Sequence, residues 1–409
     1  MRLSLPRTHG RAATAFILIT VGLDMLALGI IVPVLPKLVI DLMAGDTPSA
    51  AHMLGLFGAS WAAMQLVCAP ILGSLSDRFG RRPVILLSNL GLGIDYVLMA
   101  MAPSIGWLFA GRVVSGAAAA SIPTAAAYLT DVTPPEKRAA AFGLLGATFG
   151  LGFILGPALG GILGQTDPRL PFWVAGGLSL LNAAYGLLVL PESLAPANRA
   201  PFSWRRANPI AALGLLRSQP GLGGIAAVYW LSYLAHEALP ATFVLYTMHR
   251  FDWETRTIGF ALAGIGLGFA VVQGGMTSAI VRTIGERHTL LLGLVSGCLG
   301  FAAFGFARDG AGFVLAIPLL AFWGLTGPAA QALMTRCVAA DGQGRLQGTI
   351  QSLRGISNLI GPMVFTTLFA WAIGPGFPRH LTGAAFLVSS LLLVSAVFAL
   401  LRLAPQRTS

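Results

Sequence analysis

The chain has 409 residues, of which 56% are hydrophobic and 10% charged, with a net charge of +11 and a mean hydropathy of +0.78. A soluble protein carries about 25% charged residues, so a water-facing globule is excluded, and disorder is excluded because it needs few apolar residues and many charges. Cys68, Cys298 and Cys337 form no CxxC pair and have no His at ligand spacing, so no disulfide framework, metal site or resident cofactor is expected.

A bilayer-spanning helix takes about 20 mostly apolar residues. Such stretches run near 12–36, 53–75, 84–102, 107–129, 139–164 and 172–190. The first follows Arg2, Arg7 and Arg11; it is too long for a signal peptide, shows no small-residue cleavage site and carries Asp24, so it is read as a true helix. Span two holds Gln65 and span three holds Asn89 and Asp95. Between them lies GSLSDRFGRRPV, Gly73–Val84. There Gly73 is read as a site of close helix approach and Gly80 as a tight turn. Asp77 is a helix-end charge able to pair with Arg81 or a neighbouring helix N-terminus. A set of Asp77, Arg81 and Asp131 would close the cytoplasmic face; the plainer reading is a basic loop that only sets topology. Span four carries Arg112 within GRVVSG, and Arg112 is counted with Gly73, Asp77, Gly80, Arg81 and Asp131 among the gating candidates. Span five reads GATFGLGFILGPALGGILG, in which Gly152, Gly156, Pro157, Gly160 and Gly161 form a GxxxGPxxGG pattern. Small residues four apart let helix backbones touch, and the proline loosens the local hydrogen-bond ladder.

Residues 191–219 are rich in Pro, Ala and Arg and are read as a cytoplasmic linker, with a short surface helix around Pro209–Leu216. Six further spans follow near 220–247, 257–280, 289–307, 311–334, 346–372 and 381–402. The fold class expected is therefore an all-α membrane protein of twelve helices. Its N-terminal bundle is 1–190 and its C-terminal bundle 220–409. Only Asp24, Asp95 and Glu237 are acidic residues well within spans, and Arg112 and Arg354 also fall inside them. Intramembrane charges are costly and point to function. A carboxylate that can take up a proton or hold a cation suits exchange of protons for a cationic solute. Asp24, Asp95 and Glu237 are thus the proton-coupling candidates, and Gln65 and His236 join them as substrate-binding candidates.

With the N-terminus cytoplasmic, 18 Lys and Arg fall on the cytoplasmic side and 6 on the other. That asymmetry sets the orientation, with both termini inside, and makes the basic excess a topology signal rather than a nucleic-acid footprint. The halves also echo each other. Gly80 and Gly285, Arg82 and Arg287, Gly143 and Gly348, Gly156 and Gly361, and Pro157 and Pro362 are all 205 residues apart. Two parallel six-helix repeats about an axis along the membrane normal resemble the layout of the major facilitator superfamily, which places the substrate site between the halves.

The loop Gly73–Val84 closely resembles the signature loop of that superfamily, and the span-five pattern is similar to that of its proton-coupled antiporters. LDMLALGIIVPVLPKL, MQLVCAPILGSLSDRFGRRPVILLS, GIDYVLMAMAP, AGRVVSG, LMTRC, GRLQGTIQSL and IGPMVFTTLFA resemble the tetracycline–proton antiporters within it. The resemblance implies acidic positions at Asp24 and Asp95, a ligand position at Gln65 and a key loop arginine at Arg81, and the matching AGRVVSG carries Arg112. It also shows two departures, because the family's span-eight His falls at Phe269 and its span-nine Asp at Gly297. Glu237 is the candidate to compensate.

The expected function is proton-driven export of amphipathic drugs, free or as a divalent-metal chelate, by a monomer in the inner (plasma) membrane. The competing function is proton-coupled uptake of a small metabolite. An enzyme is not expected, since no HExxH, nucleophile elbow or paired catalytic carboxylates appear.

Overall fold

The computed structural model describes residues 7–119, 121–200, 202, 213–219, 221–339, 342–378 and 381–403. Among the described residues every regular element is a helix. In the first half these are α1 (Arg7–Ile31), α2 (Leu35–Leu42), α3 (Thr47–Phe79), α4 (Arg81–Ala100), α5 (Ile105–Ala118), α6 (Ser121–Val132), α7 (Arg138–Thr166) and α8 (Leu170–Val189). A single turn, α9 (Leu215–Ser218), follows the linker. Then come α10 (Leu222–His236), α11 (Ala238–Phe251), α12 (Thr255–Ala270), α13 (Thr277–Phe306), α14 (Gly310–Leu315), α15 (Ile317–Ala321), α16 (Thr326–Arg336), α17 (Gln343–Ala372) and α18 (Ala384–Arg402). Of the surface helix expected around Pro209–Leu216, residues 209–212 lie outside the described residues, and 213–218 are helical.

Among the described residues, ten helical stretches are long and apolar enough to cross a membrane. Two features separate this number from the twelve expected. Thr255–Phe306 runs on for 52 residues, yet Gly285 inside it has φ 76° and ψ 165°, so the rod turns there. The stretch near 220–247 is divided at Glu237 into helices of 15 and 14 residues. Large apolar side chains such as Val67, Leu87, Leu181, Leu188, Leu315 and Leu391 stand exposed along these helices. That is how a lipid-facing surface is built, with backbone groups satisfied inside each helix.

Spans one, four, seven and ten are each broken, and a proline lies at or just after every break. Pro33 sits between α1 and α2, Pro123 and Pro240 are third residues of α6 and α11, and Pro318 is second in α15. Proline has no N–H to give and its ring crowds the carbonyl four residues earlier, so a helix ends before it and a new one starts on it. Pro70, Pro157 and Pro362 stay within continuous helices.

The chain forms two compact units by contact. One comprises Met1–Leu42, Ser60–Asn208 and Glu254–Ala263; the other comprises Met43–Ala59, Pro209–Trp253 and Gly264–Ser409. Within the first, α7 packs along α1 through glycine. A Cβ on Gly156 would fall 2.6 Å from the Gly29 Cα, and one on Gly152 would fall 2.5 Å from the Met25 Cβ. One on Gly160 would overlap the Ile30 backbone, and Gly161 meets Gly259 of α12, with 3.1 Å from a Gly161 Cβ to the Gly259 Cα. The second unit repeats the device. Gly55 and Gly58 of α3 lie against Pro362 and Thr366 of α17, where a Gly58 Cβ would be 2.7 Å from the Pro362 Cβ.

Candidate functional site

The first unit holds a charged cluster at the junction of α3 and α4. Arg81 Nη1 donates to Asp77 Oδ1 (2.5 Å) and to Ser76 Oγ (2.7 Å), and Arg81 Nε donates to Asp131 Oδ2 (3.2 Å). Asp77, Arg81 and Asp131 are thus brought together as the loop's sequence suggests. Gly80 makes the geometry possible: its φ of 111° is a conformation side chains avoid, and a Cβ there would overlap the Glu192 carboxylate. Glu192 is a member the sequence reading missed. Its Oε1 accepts from the backbone N–H groups of Arg81 (2.8 Å) and Leu194 (3.0 Å), and its Oε2 from that of Arg82 (3.3 Å). A carboxylate over the first turn of α4 offsets the positive end of the helix and satisfies donors that lack an intrahelical partner. Ser193 Oγ adds a bond to Asp131 Oδ2 (3.1 Å). An acid just past span six, in PES, was the available signal.

Gly73 requires a correction. A Cβ there would meet no atom within 4 Å among the described residues, so it is not a point of close helix approach in this conformation. Close approach belongs to Gly152, Gly156, Gly160 and Gly161 of α7. Arg112 also stands apart from the Asp77–Arg81–Asp131 set with which the sequence reading grouped it.

Deeper in the first unit, Arg112 Nη2 of α5 lies 3.9 Å from Asp95 Oδ2 of α4. Asp95 is fully buried and Arg112 is 9% exposed. The guanidinium also reaches Ser115 Oγ (3.5 Å) and Met99 Sδ (3.6 Å). Gly111 leaves room for the carboxylate, since a Cβ there would be 2.7 Å from Asp95 Oδ1. Asp24 of α1 is 4% exposed, and its Oδ1 accepts from Asn182 Nδ2 of α8 at 2.9 Å. The same amide donates to the Thr20 carbonyl, also at 2.9 Å. Asn182 was missed as well; an amide in an otherwise apolar span is the kind of group that ties helices together in a bilayer. Gln65 is half-buried on α3.

In the second unit the break in span seven sends neighbouring side chains apart. Glu237, 9% exposed, packs on Gly361 of α17, where any Cβ would overlap its aliphatic carbons. His236 instead stacks on Trp323, with ring centroids 4.5 Å apart and planes within 10°. The two positions of departure noted in the sequence both abut that indole. Phe269 has its ring centroid 5.9 Å from it, and a Cβ on Gly297 would fall 2.5 Å from Cδ1. Any side chain at 297 would have to displace Trp323.

The repeat is chemical as well as sequential. Gly80 and Gly285 both have positive φ, at 111° and 76°. Arg82 Nη2 donates to the Leu187 carbonyl at the end of α8 (2.5 Å), and Arg287 Nη2 to those of Leu400 (2.9 Å) and Leu403 (2.6 Å) at the end of α18. Displaced by the same 205 residues, Arg81 and Asp131 correspond to Glu286 and Arg336. Those two also pair, with the charges exchanged.

The family model described as Major Facilitator Superfamily matches residues 17–362. The chain is 37% identical over 358 residues to the tetracycline resistance protein, class C, of Escherichia coli, covering 88% of this chain and 90% of that one. It is 38% identical over 366 residues to the class G protein of Vibrio anguillarum, covering 89% and 92%. Among solved structures it is similar to the human organic anion transporter MFSD10 (TETRAN), with TM-score 0.71, 24% identity and coverage of 97% and 100%. It is similar also to the nucleoside transporter NupG, with TM-score 0.78, 14% identity and coverage of 97% and 100%. These two structural likenesses speak to the fold.

Proposed function

The chain belongs to the major facilitator superfamily, and from that premise we propose that it is a proton-coupled antiporter exporting amphipathic drugs, tetracycline-like molecules among them, across the inner membrane. The observation that carries this reading is the fully buried Asp95 held 3.9 Å from Arg112 between α4 and α5. A carboxylate removed from water beside one guanidinium has two states to move between, ionised with that guanidinium as its partner and protonated when another group takes its place. The 37% identity to a tetracycline resistance protein supports drug as that partner and export as the direction. Twelve spans in two six-helix bundles, 1–190 and 220–409, with the 191–219 linker and both termini in the cytoplasm, complete the reading. Their support is the 205-residue repeat and the basic asymmetry of the loops.

The breaks in spans one, four, seven and ten supply backbone that can bend while the continuous helices hold the frame. Asp77, Arg81 and Asp131 latch the cytoplasmic ends in one state, with Glu192 fixing the turn, and Glu286 with Arg336 is the second latch. Asp24 assists substrate entry, and Glu237 shares in proton coupling. The chemistry is transport, with no bond made or broken in the solute, so no enzymatic group is needed. Growth inhibition across an antibiotic panel in an efflux-deficient host tests the function. Resistance to tetracycline-like drugs that vanishes with Asp95→Asn supports it, and wild-type expression without any gain in resistance counts against it.

A further inference from the structure

Asn182 of α8 is wholly buried and reaches α1 with two bonds from one nitrogen. Its Nδ2 donates at 2.9 Å to Asp24 Oδ1 and at 2.9 Å to the Thr20 carbonyl oxygen. Thr20 and Asp24 are four residues apart, so both acceptors lie on one face of α1. A backbone carbonyl only accepts, and a side-chain amide donates only through its nitrogen. Turning the amide over would set its oxygen against the Thr20 carbonyl, whether or not Asp24 carries a proton. The Thr20 bond therefore fixes the amide, and the second N–H stays aimed at Asp24 in both of its states. Helices α6, α7 and α8 pack on α1. Asp131 of α6 is paired with Arg81, and the Tyr128 hydroxyl of α6 donates to the Pro191 carbonyl at 3.0 Å. Arg138 of α7 donates to the Thr133 carbonyl at 3.3 Å, and Tyr185 of α8 stands edge-on to Phe16. Tyr96 of α4 is within electrostatic reach of Asp24, as it is of Asp95 and Arg112.

We propose that Asn182 is a positioning residue for Asp24: it aims the carboxyl group and makes the tie between α1 and α8 depend on whether Asp24 carries a proton. A hydrogen bond donated to an ionised carboxylate is about twice as strong as one between neutral groups. Proton uptake by Asp24 therefore loosens one of the two bonds, while the Thr20 bond keeps the donor in place for the proton's departure. From this tie α1 runs on to the break at Pro33, so the helix being released is one whose far end can bend. An amide that merely glued two helices together would bond backbone alone and be indifferent to the acid. The consequence for substrate entry rests on the export reading of Asp24; the hold of Asn182 on that carboxyl group does not.

The test uses the purified full-length protein in lipid and has a spectroscopic and a kinetic arm. Infrared difference spectra between acid and alkaline medium show the C=O stretch of the protonated Asp24 carboxyl group as the band that Asp24→Asn removes. Asn182→Leu keeps the branched shape and deletes the donor, so it should move that band to higher wavenumber, as a carbonyl does when it loses a hydrogen bond. Asn182→Gln, which keeps both N–H groups on a longer arm, should bring it part of the way back. An Asp24 band unmoved by Asn182→Leu overturns the assignment. In drug-driven proton exchange with tetracycline, Asn182→Leu should raise KM about tenfold while kcat stays within about twofold. Placed on Asp24→Asn, the same substitution should add no more than about twofold, because the group it positions is already gone. A fall in kcat with KM unchanged, or the same tenfold penalty with and without Asp24, would make Asn182 a packing residue and overturn the assignment. Should Asn182→Leu fail to fold, Asn182→Ala carries both comparisons, since it leaves space instead of crowding the contact. The infrared shift needs no transport, so it would stand in a protein that failed to export drug. Tetracycline-driven proton exchange with an unmoved band would overturn the assignment and leave the export reading intact.

Discussion

Asp95 and Arg112 face each other at 3.9 Å with the carboxylate wholly buried, so neither charge can be removed without exposing the other to an apolar surrounding. Loss of one partner of a buried pair costs about 3–5 kcal/mol, whereas replacing both can be nearly neutral. Asp95→Asn should therefore lower the melting temperature of the purified protein and abolish drug-driven proton release. Adding Arg112→Gln should recover much of the melting temperature and none of the coupling. Coupling that persists at the wild-type rate in Asp95→Asn would remove Asp95 from the mechanism. Glu237 poses a different question, since its aliphatic carbons fill the space left by Gly361. Glu237→Gln keeps that shape, so folding should hold while the pH dependence of export shifts; an unchanged profile from acid to alkaline medium would make Glu237 structural. The acidic positions were legible because charge inside an apolar run is rare. Their partners were less so: Asn182 and Glu192 lie 158 and 111 residues from Asp24 and Arg81, and only folding brings them close.

The helices were readable from apolar length, and the glycines of α7 from their spacing. What spacing did not tell was which glycines carry a neighbour. Gly156 meets Gly29 so closely that an added Cβ would lie 2.6 Å from the Gly29 Cα, whereas Gly146 and Gly73 face nothing within 4 Å. GxxxG tells that a backbone can approach, and tertiary packing decides where one does. Gly156→Leu should cost about 1–3 kcal/mol or more by overpacking, seen as a lower melting temperature and lost export. Gly146→Ala should leave both unchanged. Equal tolerance at the two positions would contradict the α1–α7 contact. The breaks at spans one, four, seven and ten follow from prolines present in the sequence. Yet Pro157 and Pro362 sit in unbroken helices, so a proline alone does not fix a break.

At the scale of the molecule, the 205-residue repeat extends from glycine and proline to charge, since Arg81–Asp131 is answered by Glu286–Arg336 in reversed order. Repeated glycines are visible in a sequence, but an exchanged pair is invisible to a comparison that looks for identity. If both pairs are latches, Arg81→Ala and Arg336→Ala should each slow turnover while equilibrium drug binding stays within a few-fold. Glu286→Arg combined with Arg336→Glu should restore turnover toward wild type, because an ion pair is indifferent to which side holds which sign. A double variant no better than the singles would make the pair incidental. The central claim is that proton and drug move in opposite directions through one chain. Inverted membrane vesicles with an acidic interior test it most directly, by following drug and proton together. The account predicts drug accumulation inside the vesicles, accompanied by drug-dependent proton release from them, with both lost in Asp95→Asn. Drug accumulation that is indifferent to the proton gradient, or drug moving out alongside the proton, would contradict it.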